Sequence, residues 1–266
     1  MELKNLEYLP SLVRSRIERY LEGLLSLHKE NIISIFVYGP VIQKDFSHKK
    51  PEINLGVVFR QLSFKQLKES LYQIRAGIKK GIPAPLFLTL EHIKSSLDVF
   101  PLEFFQMQAH HILLYGEDLL SSIQIKRELL RLETEEQLKG KLIHIRQAYL
   151  EMGLEKKGID VLLKGSLNSL IPIFRGVLKV AEFDKAPPKD KFEIVKTLCE
   201  KFNLDKEAFG AILRDEKDDH TILGKPRTFF KCWCGRKEKV RGKDAEEYLA
   251  RYIEEIQKLA EIADTI

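Results

Sequence analysis

Near residue 120 the spacing of apolar residues changes from a mixture of two periods to a single one. Before that point, segments with apolar residues at three- and four-residue steps alternate with short β-branched and aromatic runs. Leu9, Leu12, Val13, Ile17, Tyr20, Leu21, Leu24 and Leu25 share one helical face. Ile32–Tyr38, Ile53–Phe59 and Leu86–Leu90 have the length and composition of buried strands. After it, Leu138, Leu142, Ile145 and Tyr149, then Leu163, Leu167, Leu170, Phe174, Val177 and Ala181, keep only the helical step. A chain with this change of rhythm is neither all-β nor a single helical bundle. The reading is α/β plus all-α, with an α/β domain over residues 1–120 and a helical bundle over 121–266.

Local signals refine both halves. Ser63 with Gln66 forms a capping box that opens a helix running to Gly81. The segment from Phe100 to Gly116 is mixed, with an edge strand expected at Ile112–Tyr115. In the second half Pro172 interrupts a helical run, where a missing amide donor is expected to kink it. Shorter helices are expected at Lys191–Phe202 and Lys206–Leu213. A last amphipathic helix opens at Asp244 and carries Tyr248, Tyr252, Ile256 and Leu259.

The chain has 266 residues, 44% of them hydrophobic and 31% charged, the mix of a folded globular protein. Charges among the first thirty residues, Arg14, Arg16, Glu18 and Arg19 included, leave no room for a secretory leader, and a cytoplasmic location is expected. The longest uncharged apolar-rich stretches, Asn31–Gln43 and Phe104–Gly116, have 13 residues each, short of the roughly 18 that span a bilayer. No membrane partner is expected. Cys199, Cys232 and Cys234 are an odd set, read as free thiols.

The net charge of +5 is concentrated. Between Gly224 and Lys243, eight basic residues face one acid, Glu238, for a local +7, so the rest of the chain carries −2. This segment interleaves Lys231, Arg236 and Lys237 with Phe229, Phe230 and Trp233, a combination suited to single-stranded nucleic acid or an acidic lipid face. The same composition suits a solvated connection between two helices. Cys232 and Cys234 are one residue apart, too close for a zinc knuckle, and no metal site is expected there. His110 and His111 are adjacent, so in a strand they point to opposite faces, one packed and one solvated.

The segment Ile35-Phe-Val-Tyr-Gly39-Pro40, eleven further residues, and then Glu52-Ile53-Asn54-Leu55 places a strand, a glycine turn and a second strand in order. This resembles the nucleotidyltransferase superfamily core, where a Gly-Ser turn is followed by an Asp-x-Asp pair. The resemblance extends from about residue 30 to 183. It is carried by Ile53–Val58, Pro85–Thr89, Leu97–Phe104, Leu114–Asp118, Gly140–Tyr149 and Ser169–Arg175, runs that look like those of one bacterial group of nucleotidyltransferase-like proteins. It implies a nucleotidyltransferase-like mixed-sheet domain followed by a helical bundle.

In that family the two carboxylates share one face of a strand and hold Mg²⁺ ions against nucleotide phosphates. Here the matching positions are Glu52 and Asn54, Pro40 replaces the serine, and no acid lies within Leu86–Leu90, Glu91 being the nearest. Gly39, Pro40, Glu52 and Asn54 are therefore candidates for a vestigial nucleotide site, or simply polar residues at a strand entrance. The expectation is a binding or regulatory module with an incomplete metal centre and no catalytic residue. No cofactor is expected, and Mg²⁺ with ATP belongs only to the alternative of an active transferase.

Family members pair this domain with a bundle that shapes the acceptor site. By that analogy Arg146, Tyr149 and Arg175, with Ser166 and Ser169 beside them, are candidates for a cleft between the halves. An Arg-x-x-x-x-His ribonuclease motif is absent at both His144 and His220. The expected partner is a nucleotide or small ligand, with nucleic acid through residues 224–243 and self-association as further options.

Overall fold

The buried face of the first helix, α1 (Ser11–His28), carries Val13, Ile17, Tyr20, Leu21, Leu24 and Leu25 as its spacing predicts, while Leu12 is exposed and Leu9, buried, precedes the helix. The computed structural model describes residues 3–42, 53–153, 158–219 and 245–266. After α1 come β1 (Ile32–Tyr38), β2 (Asn54–Phe59), α2 (Phe64–Ile78), β3 (Leu86–Thr89), α3 (Leu90–Ser96), α4 (Pro101–Ala109) and β4 (His111–Gly116). The strands form one mixed sheet in the order β3-β2-β1-β4. β1 pairs antiparallel with β2 and β4, while β2 and β3 run parallel, which requires a crossover connection, and α2 supplies it.

The two-residue period of β2 sends its side chains into two cores. Leu55, Val57 and Phe59 pack with Ile17, Leu21 and Leu24 of α1, and Val58 packs with Phe36, Leu88, Ile93, Phe104 and Met107 on the opposite face. Each fully buried side chain of this size contributes about 1.5–3 kcal/mol, so a sheet covered on both faces is the main stabilising element of this half. Gly56 has a packing reason. A Cβ at that position would lie 2.2 Å from Cζ of Phe36, its cross-strand partner, whose ring fills the space.

The regular elements described in the second half are all helices: α5 (Arg127–Met152), α6 (Ile159–Ala181), α7 (Lys191–Phe202), α8 (Lys206–Asp219) and α9 (Ala245–Thr265). α6 packs against each of the other four. Phe209 of α8 joins Phe174 of α6 and Tyr252 of α9 in edge-on ring contacts at 5.9 and 5.5 Å. The chain divides into two compact units, Met1–Lys126 and Arg127–Ile266.

Several details depart from expectation: Leu90 opens the helix α3 and does not end β3, β4 is a residue longer at each end, and α8 runs on to Asp219. α2 stops at Ile78, before Gly81, and β2 opens at Asn54. The mixed segment contains the well-formed helix α4, with Pro101 at its first turn, where a missing amide costs nothing. α6 is long and apolar enough to cross a membrane by length and composition, a property hidden in sequence by Lys164 and Arg175, which interrupt its uncharged runs. In the structure 56% of that apolar window is buried inside the protein.

Candidate functional site

β1 ends at Tyr38, and cross-strand register sets Asn54 of β2 on one side of it and His111 of β4 on the other. Directly paired residues on adjacent strands share a face, so Asn54, Tyr38 and His111 form a polar row across the end of the sheet. The row lies on the face carrying Phe36, whose ring sits 5.8 Å from Tyr38 and 6.3 Å from His111. Gly39 turns the chain at the head of the row with φ of 82°, a conformation that glycine adopts freely. A Cβ there would lie 3.0 Å from Nδ2 of Asn54, so the Asn54 amide packs on the Gly39 backbone. Pro40, itself exposed, opens a 3-10 turn, Pro40–Ile42, whose next residue, Val41, is buried in the core.

Asn54 and Tyr38 give the row neutral hydrogen-bonding groups. Asn54 offers one acceptor oxygen and two donor hydrogens. Burial raises the pKa of Tyr38 above its ordinary value, which keeps the phenol protonated. His111 is committed elsewhere. Its Nδ1 lies 3.0 and 3.1 Å from the carbonyls of Met107 and Gln108, and its Nε2 lies 2.9 Å from Oδ1 of Asp118.

Burial opposes the charge on Asp118, but hydrogen bonds from the Ser121 hydroxyl and amide and from His111 outweigh it and hold the carboxyl below its usual range. The pair ties the segment after β4 back onto the sheet. This differs from the sequence expectation of one solvated histidine: His110 is buried at the end of α4, and His111 is half-buried and hydrogen-bonded.

Of the four candidates for a nucleotide site, Gly39 and Asn54 are in contact and Pro40 adjoins them, while Glu52 lies outside the described residues. Glu91 is exposed in the first turn of α3. Thr89, two residues before it, pairs with Phe59 at the opposite end of β2 from Asn54, so Glu91 follows that far end. No three His, Cys, Asp or Glu side chains group at metal-binding distance among the described residues.

The candidates in the second unit are held within it. The Arg146 guanidinium donates to Gln257 of α9 at 2.8 Å, and the Tyr149 hydroxyl donates to Glu246. Arg175 is buried on α6 and donates to the Lys189 carbonyl at 3.2 Å, and burial lowers its pKa to about 10, which leaves it cationic at neutral pH. Ser166 donates its one proton to the Leu163 carbonyl at 3.0 Å and shares a 3.1 Å hydrogen bond with the Tyr252 hydroxyl. Ser166 and Ser169 line a groove between α5 and α6 together with Lys141, His144 and Gly165. Lys231, Trp233, Arg236 and Lys237, with the rest of 224–243, lie outside the described residues.

Sequence reasoning missed Tyr38 and His111 as members of the row. Tyr38 was findable, because it adjoins Gly39 at the end of a strand. His111 was not, because its place depends on β1 pairing with a strand far along the chain.

Neither a family model nor a curated protein matches the chain in sequence. Among solved structures it is similar to the crystal structure of spectinomycin adenyltransferase AAD(9) from Enterococcus faecialis with ATP and spectinomycin. The TM-score is 0.48 and the identity 11%, over 91% of this chain and 98% of that one.

Proposed function

We propose that this nucleotidyltransferase-like chain binds a nucleotide or small ligand at the Gly39 turn and does not transfer a nucleotidyl group. The observation that carries the reading is the Asn54 amide packed on the Gly39 backbone, where the superfamily pattern calls for a metal-holding carboxylate. A neutral amide oxygen is a weak ligand for Mg²⁺ beside a carboxylate, and one acid, Glu52, cannot clamp two ions. The residues present do not fit a two-metal centre. Asn54 and the protonated Tyr38 suit the neutral edge of a base or the hydroxyls of a sugar.

The test is release of pyrophosphate from nucleoside triphosphates by the full chain with Mg²⁺ or Mn²⁺. None above background is expected. Metal-dependent release that disappears in Glu52→Ala overturns the reading in favour of an active transferase. Asp at position 54 alone is expected to restore nothing, since Pro40 and the missing third acid remain.

A second reading rests on the +7 segment between Gly224 and Lys243. Its lysines and arginines with Trp233 suit single-stranded nucleic acid, bound through phosphates and stacking.

A further inference from the structure

α2 meets the rest of its unit through small and polar residues. Ser70 and Gly77 are its buried positions. Ser70 is hydrogen-bonded to His28 of α1 at 2.7 Å, Gln73 donates to the Tyr20 carbonyl at 2.7 Å, and Gly77 leaves room for the Tyr20 ring. The large apolar residues of the helix lie elsewhere. Phe64, Leu71 and Ile78 keep 78%, 62% and 56% of their surface exposed, and Leu67 keeps 42%.

Their spacing is a heptad. With Phe64, Leu71 and Ile78 at one seam position and Leu67 and Ile74 at the other, the five residues fall within an arc of about 80° on a 3.6-residue helix. Ile74 is partly buried against the core, so the seam begins at the molecule and opens outward. The flanking position on the core side is Ser70 and Gly77, already packed. The flanking position on the free side is Lys68 and Arg75, both exposed, with Lys65 and Lys79 beyond them. The acid on this helix, Glu69, lies 3.9 Å from Lys65.

From this geometry we infer that the outward face of α2 is a docking surface for an acidic amphipathic helix of another protein. Seam width and charge choose among occupants. A helix lying in a lipid interface needs an apolar face of 100° or more, whereas a narrow seam admits one partner helix. A second copy of α2 would oppose Lys68 and Arg75 with the same basic pair, so self-pairing is disfavoured. A partner with apolar residues on its own seam and Glu or Asp beside it meets both features, the seam giving affinity and the charges orientation.

The probe is a synthetic helical peptide of about four heptads with Leu at both seam positions and Glu at both flanking positions, compared with its Lys counterpart. Binding of the labelled peptides to the full chain is followed by anisotropy at low salt. The Glu peptide is expected to bind at least about tenfold more tightly than the Lys peptide. Lys68→Glu with Arg75→Glu is expected to invert that order, and Leu71→Ala to weaken both by about tenfold. All three positions are exposed, and an unchanged melting curve confirms folding.

Equal binding of the two peptides, no binding of either, or indifference to the charge reversal overturns the inference. Two further results would replace it. A dimer abolished by Leu71→Ala makes the occupant a second copy. Binding to phosphatidylcholine–phosphatidylglycerol vesicles, with neither peptide bound, makes it a membrane surface.

Discussion

His28 shows how a buried polar residue at one position couples packing to pH. The Ser70 hydroxyl donates its one proton to the Gln66 carbonyl at 2.8 Å, so in its 2.7 Å contact with His28 it accepts, and Nε2 of the imidazole carries the hydrogen. The ring stands edge-on to Phe59, 5.2 Å away. Burial lowers the His28 pKa below its usual value against the opposing pull of Glu69. The unfolded chain therefore takes up a proton near pH 6.5 that the folded chain takes up only at lower pH. Stability from this residue is intact above about pH 6.5 and falls as pH drops toward the folded value. Urea midpoints near pH 8 and pH 5.5 check this, and His28→Gln, which keeps a donor without a titrating ring, is expected to flatten the difference. At Gly56, substitution by Ala forces the buried Phe36 ring to move and is expected to cost about 1–3 kcal/mol, measured by equilibrium unfolding.

At the scale of elements, the capping box at the start of α2 is present as the sequence predicts. The Ser63 amide donates to Gln66 at 2.9 Å and the Ser63 hydroxyl accepts from the Lys65 amide at 3.3 Å. Ser63→Ala is expected to cost about 0.5–2 kcal/mol by thermal or urea unfolding, because orphan amides of the first turn lose their partner. Elements set by local chemistry were legible in this way: α1 by its periodicity, β1 by its β-branched run, α2 by its cap. α4 was legible in principle, since Pro101 opens it, but its apolar residues are spread around the helix between Glu103, Gln106 and Gln108 and give no single stripe to read. Strand order was not legible. β1 lies between β2 and β4, and nothing local to Ile32–Tyr38 says that its second neighbour follows α4. The Gly39–Asn54 half of the candidate site came from adjacent strands and was visible in sequence, whereas the Tyr38–His111 half came from long-range register and was not.

For the whole molecule, the two units carry different kinds of argument. The sheet unit holds the turn, the polar row and the α2 seam. The helical unit keeps Arg146, Tyr149 and Arg175 in contacts of its own and bears the basic segment in its sequence. If that segment binds polyanions, affinity for single-stranded DNA or RNA falls steeply between low and physiological salt, and Trp233→Ala costs about 1–3 kcal/mol. Unaltered binding after deletion of Lys225 to Lys243 removes it from the functional account. Metal-independent binding at the Gly39 turn of the sheet unit is checked by calorimetric titration of the full chain with ATP, with and without Mg²⁺. The same affinity is expected in both, because Asn54 and a lone Glu52 give the ion no clamp. Binding that appears only with Mg²⁺, or tightens tenfold or more with it and loses that gain in Glu52→Ala, contradicts it.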